Sequence, residues 1–269
     1  AVGLLRGYAR RAAPVAAGLA LWAAPATAQS FDPVELARDT PLGFVRSGDP
    51  ELDRVTRAGL DGLATTLWRR TSVEASDPVP VDIADDPLAL FPIIFWPVPR
   101  DVEPLAPAAG ERLLGYLESG GMVVFDTRDA HLSVPGSGEG TPGMRRLRRL
   151  LEAVEMPALE PVGPDHVLTR SFYLLQDFPG RYAGERVWVD RPQPGVNDGV
   201  SSIVIAANDW LGAWAIDDAD RPLLPVSPGG ERQRELARRV GVNLVMYALT
   251  GNYKTDQVHV PTLLERLGQ

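Results

Sequence analysis

The 269-residue sequence contains no cysteine. That one absence excludes a disulfide framework, a thiolate zinc site and a cysteine nucleophile. Lysine is almost as scarce: Lys254 stands alone, and the other 26 of the 27 positive charges are arginines. Alanine and proline are abundant as well, so the bias is compositional and a lone arginine carries little functional information. Positive charge is also in deficit, 27 basic against 35 acidic residues for a formal net charge of −8. A chain of that sign repels nucleic acid, which is not expected as a partner. Missing too are the Gly-x-x-x-x-Gly-Lys phosphate loop, His-Glu-x-x-His, the Gly-x-Ser-x-Gly elbow and a Gly-x-Gly-x-x-Gly after a strand. No cofactor is expected from these motifs, and no metal is assigned.

What remains is ordinary globular material, 45% hydrophobic and 23% charged, long enough to bury a core without staples. The start is different. Arg6, Arg10 and Arg11 precede the apolar stretch Ala12 to Ala28, which ends in Ala26-Thr27-Ala28 before Gln29. Basic, then apolar, then small is the layout of a secretory signal. At 17 residues, interrupted by Pro14 and Pro25, the stretch is marginal for a spanning helix, which needs about 20 strongly apolar residues. Residues 1–28 are therefore expected to be signal-like or transmembrane and 29–39 a linker. The body, 40–269, is expected in the periplasm, anchored to the membrane through its N-terminal segment.

From Thr40 onward strand-like and helix-like runs alternate. Pro41 to Arg46 reads as a strand, and Asp49-Pro50 as the start of a helix with Leu52, Val55, Gly59, Leu63 and Leu67 on its buried side. Thr71 to Ala75 reads as a short edge strand. Ile93 to Trp96, Met122 to Phe125 and Ser202 to Ala206 lack polar alternation, as expected of adjacent central strands covered on both faces. Pro107 opens a second helix that Gly120-Gly121 stops, and Leu147, Leu150, Leu151 and Val154 form the apolar stripe of a third, leaving Arg145, Arg146, Arg148 and Arg149 mostly outside. Arg186 to Asp190 is a further strand. Glu231 to Thr250 is the longest helix, almost wholly apolar from Val242 to Leu249 apart from Asn243, with Gly251 expected to close it. This order predicts an α/β fold, a three-layer α/β/α sandwich with a mainly parallel sheet.

In such sheets ligands gather at the carboxyl ends of the strands. Two polar sets fall there: Asp126, Arg128, Asp129 and His131 after one strand, and Asn208, Asp209 and Trp210 after another. Carboxylates with a histidine can hold a divalent cation or act as acid and base. The same aspartates can equally cap the segments that follow and balance Arg128. Gln176 to Gly180 reads either as a lid or as a plain Pro-Gly turn.

Several stretches together resemble a known family: Gly120-Gly-Met-Val-Val-Phe-Asp126, His166-Val-Leu-Thr-Arg-Ser-Phe-Tyr173, Asp198-Gly-Val-Ser-Ser-Ile203, Asn208-Asp-Trp210, and Arg239-Val-Gly-Val-Asn-Leu-Val-Met-Tyr-Ala-Leu-Thr-Gly251. The family is the bacterial domain of unknown function 4159. The resemblance implies a class I glutamine amidotransferase-like, flavodoxin-like fold, placed at the C-terminal end of a membrane-anchored protein; a protein partner in the cell envelope is the expectation for a body displayed there. Amidotransferases of that fold carry a cysteine on a tight turn after a central strand. The corresponding strand here, Met122 to Phe125, leads into Asp126-Thr127-Arg128, and an aspartate cannot form the thioester that glutamine hydrolysis requires. The resemblance thus implies a pseudoenzyme, and the strand-end positions predict a binding or interaction module whose ligand cleft is lined by Asp126, Asp129, His131, Asn208, Asp209 and Trp210. The alternative is a hydrolase or metal-dependent enzyme that uses the acidic residues at the strand ends.

Overall fold

Asp49 accepts hydrogen bonds from the N–H groups of Glu51 and Leu52 through its carboxylate, and Pro50 follows at the first helical position, so α1 (Pro50–Arg70) starts where the sequence signals it. A computed structural model describes residues 40–133, 140–191 and 200–267. Ala12 to Ala28 and the linker lie outside the described residues, and no described helix is long and apolar enough to cross a membrane.

Among the described residues there are seven strands, β1 (Leu42–Val45), β2 (Val79–Val81), β3 (Ile93–Pro97), β4 (Met122–Asp126), β5 (Leu159–Pro161), β6 (Trp188–Asp190) and β7 (Ile203–Ala206). They form one sheet in the order β2-β1-β3-β4-β7-β6-β5. The first five in that order are parallel, while β6 and β5 extend the sheet antiparallel. The three apolar runs, β3, β4 and β7, are adjacent at its centre, and every residue in them is buried.

Strand alternation sends Leu42, Phe44, Ile93, Phe95, Met122, Val124, Val204 and Ala206 to one face. There they pack with α1, with the short α4 (Trp210–Trp214) and with α5 (Gly230–Leu267). The opposite face carries Ile94, Trp96, Val123, Phe125, Ile203 and Ile205, covered by α2 (Pro107–Glu118) and α3 (Pro142–Leu150). The result is a three-layer α/β/α sandwich. Tyr116 of α2 pins that layer down, its buried hydroxyl donating to the carbonyl of Phe91 and accepting the N–H of Met122.

Two expectations need correction. The edge strand is Val79–Val81, not Thr71 to Ala75, where only Ala75 makes a single bridge, to Thr40. Pro80 fits because an edge strand has one side with no ladder bond to make. Gly251 does not close the last helix, which runs on to Leu267; a glycine inside a helix costs only about 1 kcal/mol and need not end it. β5, with three residues, and α4, with five, are too short to show a periodicity in the sequence.

Candidate functional site

Strand β4 ends on Asp126, which is 1% exposed. Its Oδ1 accepts the N–H groups of Arg128 (3.0 Å) and Asp209 (3.2 Å), and its Oδ2 accepts that of Trp210 (2.7 Å). One carboxylate therefore gathers the turn after β4 and the turn after β7. Both turns contain a non-glycine residue in the left-handed region, Arg128 at φ 58° and Asp209 at φ 57°. Each such residue costs about 1 kcal/mol or more, offset here by the hydrogen bonds its N–H makes to Asp126.

Asp209 is buried too. Its carboxylate accepts the N–H of Gly212, capping α4, and pairs with the Arg181 guanidinium at 3.3 Å. Burial, and then the charge of nearby Asp209, push Asp126 up to about 7, against the opposing pull of the Trp210 N–H, the Arg128 charge and the Arg128 N–H. Burial raises Asp209 as well, with Arg128 and Arg181 opposing. The two carboxyls act as one coupled pair.

Asp129 turns the other way. It accepts from the hydroxyls of Thr127 (2.7 Å) and Thr141 (2.8 Å) and from the N–H of Gly143 (2.5 Å), which fixes the first turn of α3, while Arg146 stands 3.8 Å off. His131 is exposed, its ring against that of Tyr182 at 4.3 Å. Asp126, Asn208, Asp209 and Trp210 thus come together, whereas Asp129 and His131 serve separate neighbours. Among the described residues no group of three or more His, Cys, Asp or Glu side chains is placed to hold a metal ion.

Asn208 and Trp210 hold down the segment Gln176 to Gly180. The Asn208 carboxamide donates to the carbonyls of Phe178 (2.9 Å) and Glu185 (3.3 Å), and the Trp210 indole donates to Phe178 (3.1 Å). Gly180 lies so close beneath the Asn208 carbonyl oxygen that a Cβ there would stand 2.2 Å from it. Gln233, buried in the first turn of α5, completes the strap by donating to the carbonyls of Gly180, Arg181 and Ser227. Trp210 itself is core, its ring parallel to that of Trp214. Gln233 and Arg181 escaped the sequence reading because nothing local sets a strap-holding glutamine or arginine apart from a solvated one.

Beside this strap lies an open cleft of about 770 Å³ whose walls include Asn208, Asp177, Phe178, Glu185, Arg232 and Gln233. Asn208 is 1% exposed, and its Oδ1 has no donor among the described residues. With both amide hydrogens committed to carbonyls, that oxygen is an acceptor in need of a partner.

The model of a family described as a domain of unknown function (DUF4159) matches residues 41–249. No curated protein matches the chain.

Proposed function

The chain belongs to the DUF4159 family, and from the geometry at the strand ends we propose that it is a non-catalytic binding module whose ligand enters the cleft beside β7. The observation that carries this reading is Asn208: a buried side chain in the wall of a ligand-sized cleft, with an acceptor oxygen left without a donor. The cleft's charges balance, Asp177 and Glu185 against Arg186 and Arg232, and Phe178 adds an apolar face. A neutral polyhydroxylated ligand suits that wall better than a phosphate or a strong cation. Asp126, Asp129 and Asp209 serve in this reading as the frame of the rim, and Asn208 as the contact. The Arg6, Arg10 and Arg11 flank of Ala12 to Ala28 supports membrane attachment with the body in the periplasm, where envelope glycans and partner proteins are at hand.

The acid–base alternative draws on Asp126, whose raised pKa is of the kind found at active sites. Access argues against it. A general acid or base must come within hydrogen-bond reach of the proton it moves, and Asp126, unlike Asn208, is not in the wall of the cleft and has both oxygens held by main-chain N–H groups.

Calorimetric titration of the protein with chitotriose and with spermidine tests the proposal. Saturable heat with chitotriose, lost in Asn208→Ala and kept in His131→Ala, is the expected result. Spermidine binding alone would overturn the choice of ligand class, and glycan binding indifferent to Asn208 would overturn the site.

A further inference from the structure

The layer made by α2 and α3 is narrower than the sheet it covers. α2 has 12 residues and lies over the centre of the sheet, and α3 has nine and ends at Leu150. On this side Leu147 of α3 and Ile205 of β7 line a gap that continues along Trp188 of β6 and Leu159 of β5. Between α3 and that end of the sheet remains a cavity of about 870 Å³, separated from the Asn208 cleft by the segment Gly184 to Arg186, which borders both.

Its chemistry is divided. Leu159, Trp188 and Ile205 come from the three strands, and Met144, Leu147 and Leu151 from α3 and its C-terminal end, so the walls on both sides are apolar. Charge is supplied by Arg148 and Arg186 with a single acidic residue, Glu185. Neither arginine has an ion-pair partner among the described residues, although both belong to an acidic chain. Apolar surface covered by a ligand gains about 25 cal/mol for each Å² taken from water, and the two cations gain an anion.

We propose that this cavity binds a single-chain anionic amphiphile, its apolar chain against Trp188, Ile205 and Leu151 and its charged end at Arg148 and Arg186. Two methionines in the wall, Met144 and Met156, suit a flexible chain, because an unbranched thioether repacks readily around it. The site shares Gly184, Glu185 and Arg186 with the Asn208 cleft but not Asn208 itself, so the loss of either site in its own variant leaves the other testable. Of the four arginines of α3, Arg148 thus takes a role different from Arg145, Arg146 and Arg149, which border another groove with Arg100.

The chain has four methionines: Met122, Met144, Met156 and Met246. Methyl-labelled methionine therefore gives a four-signal readout in the wild-type protein, without dependence on a variant that must fold. Titration with dansyl-undecanoate is expected to shift Met144 and Met156 and to leave Met122 and Met246, which line no part of the cavity, unmoved. Dansyl fluorescence in the same titration gives the affinity. Arg148→Gln with Arg186→Gln is expected to weaken the carboxylate by about tenfold, equivalent to about 1.4 kcal/mol, and to leave the methyl ester unchanged. Equal affinity of the acid and the ester for the wild type would overturn the assignment of the arginines. Binding with Met144 and Met156 unshifted, or binding only to phosphatidylglycerol vesicles and not to the monomeric probe, would overturn the cavity itself.

Discussion

Oδ2 of Asp126 accepts the main-chain N–H of Trp210 at 2.7 Å across 84 residues of sequence. That bond joins the end of β4 to the start of α4, and with the N–H groups of Arg128 and Asp209 it makes one carboxylate the fastener of two strand-end turns.

Removing that fastener is expected to be costly. Asp126→Ala leaves three N–H groups facing the space the carboxylate filled, and a buried donor left unsatisfied costs about 1–3 kcal/mol. Relief of a buried charge next to Asp209 offsets part of that, so a net loss of about 2–4 kcal/mol in urea unfolding is expected. A variant as stable as the wild type would show that the turns hold themselves.

The same residue makes stability depend on pH. Folding raises Asp126 from 3.8 to about 7, so between those values the folded chain keeps a proton that the unfolded chain gives up. Stability is then greatest below about pH 4 as far as this group is concerned, and falls as pH rises toward about 7. Asp209 shifts in the same direction. Urea midpoints of the wild type should fall across that window, and those of Asp126→Asn should fall less. A midpoint that rises with pH equally in both proteins would show that other carboxylates govern the window.

How much of this was legible beforehand follows from range. β3, β4 and β7 announced themselves as apolar runs because both their faces are covered, and Asp49-Pro50 announced α1 because a cap is a local event. The acidic rim positions were legible as strand ends. Their partners were not, since Asp126 answers to Trp210 and Gln233 to Gly180, contacts that no local pattern encodes. Asn243 was visible only as a polar break in an apolar helix. Its reason is that it holds a distant loop, accepting the N–H of Tyr173 and donating to the carbonyls of Leu168 and Tyr173.

Asn243→Leu should therefore destabilise despite being the more hydrophobic choice. The leucine adds apolar area, about 25 cal/mol per Å², but leaves one N–H and two carbonyls beside α5 without partners, at about 1–3 kcal/mol for each that water cannot reach. A net loss of about 2–3 kcal/mol is expected, with faster amide exchange at Tyr173. Unchanged protection at Tyr173 would mean that the loop is held by its apolar contacts alone.

The close approach of α1 and α4 provides the sharpest test of packing, because it reverses the sign of a familiar substitution. Glycine to alanine in an exposed helix position stabilises by about 0.5–1 kcal/mol, and that is the expectation for Gly115 of α2, where an added Cβ meets nothing within 4 Å. At Gly62 the Cβ would lie 2.0 Å from the carbonyl oxygen of Trp214, and at Gly59 it would lie 2.3 Å from that of Leu211. Those obstacles are backbone and cannot swing aside. Nor can α4 retreat freely, since its first turn is tied to Asp126 and the Trp214 indole donates to the Ala237 carbonyl of α5 at 2.7 Å. Overpacking of that kind costs about 1–3 kcal/mol or more, which outweighs the helix-propensity gain. Gly62→Ala should therefore lower the melting temperature while Gly115→Ala raises it. A Gly62→Ala protein that melts at or above the wild-type temperature would mean that the two helices stand further apart than the glycine row requires.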